Sequence, residues 1–280
     1  MDIPRIQYEP LVRAALAEDI GPGDITTTLC VPAEARTTAT VLAKSAGVIA
    51  GLEVCALAFH LIDPETRWAG LVADGFHVPD PPTPLATITG SARALLTAER
   101  VALNFLQRMS GIATVTARYV AAVAGTGARI VDTRKTTPGL RALEKYAVRV
   151  GGGFNHRLGL YDCVLIKDNH IQASGGIQNA IAAARAQIPH TMKVEVETDT
   201  LAQVAEALEA GADIILLDNM DTEMMRRAVA QIGGRAITEA SGGLALDRVA
   251  EVAATGVQVL SIGALTHSAP ALDISLDFTP

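Results

Sequence analysis

The chain has 280 residues, 49% of them hydrophobic and 19% charged, with a net charge of −7 at neutral pH. That length and apolar content are enough to bury a substantial core and exclude a disordered chain. The acidic balance excludes a general nucleic-acid binder, which needs a basic surface to displace counterions.

The opening stretch, "MDIPRIQYEP", has neither the basic nor the apolar region of a secretory leader. Charges interrupt every apolar run, so no segment reads as a membrane span. Cys30, Cys55 and Cys163 are scattered without a CxxC pair, the pattern of reduced packing cysteines in a cytoplasmic protein.

In chain order, "RTTATVLAKSAGVIAG" predicts a strand, "LEVCALAFHLI" a helix and "PLATITGSA" a second strand. The turn-rich "DGFHVPDPPTPLATITG" is expected to cross the surface. "ARALLTAERVALNFLQRM" is a long helical pattern, expected to break at Gly111 before a second helix, "IATVTARYVAAVAG". From residue 129 the rhythm changes. Short apolar runs close on polar residues in "ARIVDTRK", "CVLIKDNH", "KVEVETD", "DIILLDN", "AITEASGG" and "VQVLSIGAL", with helical segments such as "LAQVAEALEAGA" between them. Strand–helix alternation at this spacing predicts parallel strands, in a closed or nearly closed βα barrel or in a doubly wound open sheet. The tail "LDISLDF" reads as one more strand, returning to the first domain.

In βα barrels the chemistry sits at the carboxyl ends of the strands. Here those ends carry Asp132, Arg134 and Lys135; Lys167, Asp168, Asn169 and His170; Glu195 and Glu197; Asp218 and Asn219; Glu239 and Ser241; and finally Gly263. Six polar ends around one mouth point to an active site. Between residues 129 and 167 there are eight Lys or Arg against three Asp or Glu. Arg129, Arg141, Lys145 and Arg149 are expected on solvated helix faces. Arg134, Lys135, Lys167 and Arg157, the last beside His156 after three glycines, are expected to bind anions. Glu197 and Asp218 suit a shared Mg²⁺ that completes its shell with phosphate and water. Glu195 faces the same way as Glu197, and one of the two is expected to pair with a strand-end lysine. "EASGG" and "SIGALTHS" offer backbone N–H groups that suit a phosphate. No HxH or HExxH pair supports a zinc site. These residues stop at a barrel enzyme for a carboxylated and a phosphorylated substrate.

The stretches "EDIGPGDITT", "AERVALNFLQRMSGIAT", "DTRKTTPGLRALEKYAVRVGGGFNHRLGLYD", "LIKDNH", "LLDN" and "SGG…GALTHS" closely resemble the quinolinate phosphoribosyltransferase family, from about residue 8 to the tail. The resemblance implies an N-terminal open α/β sandwich over residues 1–108, rejoined by 268–280, and an incomplete α/β barrel over 109–267. It implies phosphoribosyl transfer from 5-phosphoribosyl-1-pyrophosphate to quinolinate with decarboxylation, Mg²⁺ as cofactor, and a homodimer with a shared site. Arg134, His156, Arg157 and Lys167 would hold the dicarboxylate, joined by Arg100, and Lys135 would lie near both substrates. Glu197 and Asp218 would serve the metal, directly or through substrate or water, and the ribose hydroxyls; Ser241, Gly242, Gly263 and Ala264 would cradle phosphate. Lys135, Lys167, Glu197 and Asp218 form the expected catalytic set. The competing expectations are a ModD-type paralogue with another acceptor, a Schiff-base aldolase or lyase using Lys167, and a non-catalytic metabolite binder.

Overall fold

Each parallel strand of the chain is short, so what the fold contributes to function is where those strands end. The computed structural model describes residues 3–278. The chain folds as two units, one drawn from Met1–Ala117, Thr136–Gly152 and Leu265–Pro280, the other from Arg118–Lys135 and Gly153–Ala264.

The first elements are α1 (Arg5–Ile20), α2 (Ile25–Cys30), β1 (Arg36–Ala43), α3 (Leu52–Ile62), β2 (Arg67–Gly70), β3 (Thr83–Ser91) and α4 (Ala92–Ala122). The Asp24 carboxylate caps α2 by accepting from the Thr27 N–H at 2.9 Å. The "LEVCALAFHLI" helix forms as its apolar spacing predicts and buries Leu52, Val54, Cys55, Leu57, Ala58 and Phe59. Phe59 reaches Trp68 of β2 with ring centroids 6.4 Å apart. β2 itself is invisible in the sequence, because its four residues are largely exposed and carry no alternation.

After α4 come β4 (Arg129–Val131), α5 (Arg141–Val150), β5 (Val164–Ile166), α6 (Asp168–Ser174), α7 (Ile177–Arg185), β6 (Val194–Thr198) and α8 (Leu201–Glu209). The chain continues through β7 (Ile214–Asp218), α9 (Thr222–Ile232), β8 (Ile237–Ser241), α10 (Val249–Ala253), β9 (Val259–Ser261), α11 (Ala264–His267) and β10 (Ile274–Phe278). Within the first unit β10, β1, β3 and β2 form an antiparallel sheet in that order. The tail strand β10 pairs with β1, Val41 opposite Leu276.

The second unit is a six-stranded parallel sheet in the order β4-β9-β8-β7-β6-β5. Its first strand neighbours its last while the others follow chain order, the wrapping of a barrel and not of a doubly wound sheet. Among the described residues β4 and β5 form no ladder, so the barrel is incomplete at that seam. A bridge from Val131 to Phe154 occupies the edge of β4 there.

Two expectations are corrected. α4 does not break at Gly111 but runs unbroken for 31 residues. The glycine is there for clearance, since a Cβ at this position would run into the Pro270 carbonyl. Lys145 is not on a solvated face. It is buried on α5 beside Glu144, which forms an ion pair with Arg108 at 2.8 Å and accepts from the Thr137 N–H at 3.1 Å. Gly111→Ala is therefore expected to destabilise the protein by about 1–3 kcal/mol, the usual cost of overpacking against a fixed neighbour, measured as a drop in urea midpoint at unchanged m-value.

Candidate active site

In a strand, residues two apart face the same way, so each barrel strand delivers its inward residues in layers. Leu165 and Lys167 of the β5 end, Leu216 and Asp218 of β7, and Glu239 and Ser241 of β8 all line one cavity of about 600 Å³. Arg134 and Lys135 beyond β4, His156 and Arg157 from the glycine loop, Glu197 of β6, and Asn219, Gly242 and Gly243 also stand in its walls. One side is cationic and the other combines carboxylates with a glycine turn.

The cationic side is built on Asp132, which is fully buried. One of its carboxylate oxygens accepts from the Asn155 amide at 2.6 Å and the other from the His156 N–H at 2.9 Å. The loop that follows the three glycines is thereby held at the end of β4, and Arg157 with it. The Arg157 guanidinium donates to the Cys163 carbonyl at 3.3 Å. Burial pushes the Cys163 thiol up to about 11, which suits a packing cysteine and not a nucleophile.

Beneath this rim the His156 Nε2 stands 3.2 Å from Glu195 and 3.3 Å from Glu239, both buried. Burial opposes a charge on His156, but hydrogen bonding and charge attraction from the two carboxylates outweigh it and push its pKa up to about 10. Burial, reinforced by Glu239, raises the Glu195 carboxyl as well. The Arg157 N–H meets His156 Nδ1 at 2.7 Å, a contact that suits a neutral ring protonated at Nε2. Both facts fit a proton shared between His156 and Glu195. Whether that proton sits on the ring or on Glu195, the titration belongs to the group.

His156, Glu195 and Glu239 are also the one cluster of three metal-type ligands among the described residues. The retained proton is the simpler way to relieve their charge. Lys167, on the cationic side, forms an ion pair at 2.6 Å with Glu197 of the carboxylate side. The Asp218 carboxylate accepts from the Asn219 amide at 2.6 Å.

Of the residues singled out in the sequence, Arg134, Lys135, His156, Arg157, Lys167, Glu197, Asp218, Ser241 and Gly242 line this cavity. Gly263 and Ala264 are not among the lining residues; from this stretch Ser261, the last residue of β9, lines the cavity. Arg100 is exposed on α4 in the first unit and is not part of the lining. His170 caps its own helix α6, its Nδ1 accepting from the Lys167 N–H at 2.9 Å. Sequence reasoning missed Asn155, whose only signal was its place beside the glycines.

A second opening, of about 400 Å³, lies at the amino ends of the strands and includes Lys193, Asp213 and Arg235. The Asp213 carboxylate there is engaged by Arg185 at 2.6 Å and by the Val194 N–H at 2.7 Å, so it serves the fold.

Comparison with known proteins agrees with this geometry. Residues 24–110 match the model of the quinolinate phosphoribosyl transferase N-terminal domain, and residues 112–277 match that of its C-terminal domain. The chain belongs to the quinolinate phosphoribosyl transferase family. It is 49% identical to the nicotinate-nucleotide pyrophosphorylase [carboxylating] of Mycobacterium leprae, over 95% of each chain. It is 46% identical to a probable nicotinate-nucleotide pyrophosphorylase [carboxylating] of Synechocystis, over 98% of this chain and 93% of that one. The crystal structure of NadC from Streptococcus pyogenes superposes with a TM-score of 0.95 at 44% identity, covering 100% of both chains. Among the described residues no helix is long and apolar enough to cross a membrane.

The buried trio has a thermodynamic signature. A group whose pKa is raised on folding stabilises the fold below its unfolded value and loses that contribution as pH rises through its folded value. For His156 the contribution is complete below about pH 6.5, the ordinary histidine value, and fades as the pH approaches about 10; the raised Glu195 carboxyl loses its own from the ordinary carboxylate value upward. Urea titrations at several pH values should show stability falling over that window, and Glu195→Gln should flatten the fall.

Proposed function

We propose that the chain transfers the phosphoribosyl group of 5-phosphoribosyl-1-pyrophosphate to quinolinate and releases carbon dioxide, giving nicotinate mononucleotide and pyrophosphate for de novo NAD synthesis. The observation that carries this reading is the two-walled cavity, in a chain nearly half identical, end to end, to proteins named for that reaction. The cationic wall of Arg134, Lys135, His156, Arg157 and Lys167 suits a dicarboxylate. The Glu197–Asp218 wall with the Ser241–Gly243 turn suits a ribose and its phosphates. These substrates are small and soluble, which fits a cytoplasmic enzyme.

The chemistry asks for orientation and charge and for no nucleophilic side chain. The bond from ribose C1′ to pyrophosphate breaks, leaving an oxocarbenium-like sugar. The quinolinate nitrogen attacks C1′ and becomes cationic. Its charge then accepts the electron pair released as the neighbouring carboxylate leaves as carbon dioxide, and a proton takes the vacated ring position. Arg134 and Arg157 would fix the dicarboxylate so that the ring nitrogen faces C1′. Glu197 and Asp218 would hold the ribose hydroxyls and Mg²⁺, their hard carboxylate oxygens being the donor type that ion prefers. When bound, Mg²⁺ supplies countercharge for the departing pyrophosphate. Lys167 stands in an ion pair with Glu197, where a Schiff-base lyase needs its lysine free to attack a carbonyl.

The test is direct. Purified protein with quinolinate, phosphoribosyl pyrophosphate and Mg²⁺ should form nicotinate mononucleotide and carbon dioxide in equal amounts. Nicotinate, which leaves part of the cationic wall unpaired, should be used at least about a hundredfold less efficiently, since an unmatched buried polar group is costly. Equal efficiency on the two acids sinks the reading.

We also propose a homodimer in which the exposed Arg100 completes the partner's cationic wall. Arg100→Ala and Lys135→Ala should each be nearly inactive. Mixed and allowed to exchange subunits, they should recover about a quarter of wild-type activity, because half the dimers are mixed and each has one intact site. Proven exchange without recovery overturns the shared site.

A further inference from the structure

Asn219 is the one non-glycine residue among the described residues with a left-handed backbone, φ 52°. That conformation is costly for a residue with a Cβ, though asparagine tolerates it better than most. Such a conformation persists where the surroundings over-determine it, and it clusters at ligand sites.

Here the surroundings can be named. Asn219 follows the last residue of β7, and its N–H donates to the Ser241 carbonyl at 3.0 Å. Its side-chain amide donates to the Asp218 carboxylate at 2.6 Å. The next residue on the neighbouring loop, Gly242, has φ +97°; a Cβ there would collide with the Asn219 amide oxygen and stand 2.7 Å from its Cγ. Asp218 and Ser241 are themselves partners in the β7–β8 register. One residue thus touches the carboxylate on one side and the glycine turn on the other, and that turn is shaped to receive it.

We propose that Asn219 is a positioning residue that presets the Asp218 carboxylate and locks it to the Ser241–Gly243 turn, so that the ribose-binding acid and the phosphate-binding backbone form one rigid unit. The identity of the ligand rests on the phosphoribosyl reading given above; the preset geometry does not. A backbone role alone would ask only for the left-handed conformation, which glycine adopts freely. A positioning role asks for the amide.

Asn219→Gly separates the two. Relative to Asn219→Ala, it should melt at a higher temperature, because it relieves the left-handed strain. Yet both variants should show KM for phosphoribosyl pyrophosphate raised about tenfold, the scale of one hydrogen bond to a charged group, while quinolinate affinity measured by calorimetry stays at the wild-type value. In the crystal structure of Asn219→Gly, Asp218 should leave its wild-type rotamer. An Asn219→Gly protein that keeps the wild-type KM, or in which affinity for both substrates falls equally, overturns the proposal. A wild-type protein that ignores phosphoribosyl pyrophosphate would sink the transfer reaction instead. In that case the Asp218 rotamer in Asn219→Gly still decides: a carboxylate that stays in place overturns the positioning role, and one that moves upholds it.

Discussion

Burying a carboxylate is unfavourable unless donors surround it, and three buried carboxylates govern how this barrel's mouth is built. Asp132, Glu195 and Glu239 stand on or beside three different strands, each nearly inaccessible. One residue stands against all three, with Asn155 as a further donor to Asp132. His156 gives its backbone N–H to Asp132 and its ring to Glu195 and Glu239. Its main chain and its side chain are therefore fixed by separate acids, and Arg157, next in sequence, inherits that placement. The cationic wall is held by acids below it and is not a set of free surface charges. This explains how a chain of net charge −7 keeps a local positive surface.

Much of this was legible because a strand repeats every two residues. Lys167, Asp218 and Ser241 sit at strand ends and face the cavity, as the carboxyl-end rule for barrels implies. Counting back two residues reaches the lower layer, and the shared facing of Glu195 and Glu197 follows from the same rule. Which acid meets which base was not legible. A strand-end lysine does pair with one of the two, and it is Glu197 that meets Lys167; Glu195 meets a histidine delivered by a loop 39 residues earlier. That pairing depends on strand order and loop path, which local pattern does not encode.

The misread elements share a cause. Gly111 reads as a helix breaker because glycine weakens a helix, yet tertiary clearance beside Pro270 outweighs that local penalty. Lys145 reads as solvated because lysine usually is, yet α5 buries it along with Glu144. β2 is too short and too exposed to show alternation at all. For Gly111 the deciding contact lies about 160 residues away in sequence, beyond the reach of any local pattern.

The Lys167–Glu197 pair joins the two walls and differs in kind from the arginine contacts. Arg157 is a planar fork with one nitrogen already spent on the Cys163 carbonyl, so its remaining donors point in set directions. Lys167 is a compact charge on a flexible stem and about half exposed. It meets the Glu197 carboxylate without imposing an orientation on it, because an ammonium has no preferred plane. A lysine at this place therefore joins the two sides of the cavity through a single point charge, where an arginine fork would add a fixed plane.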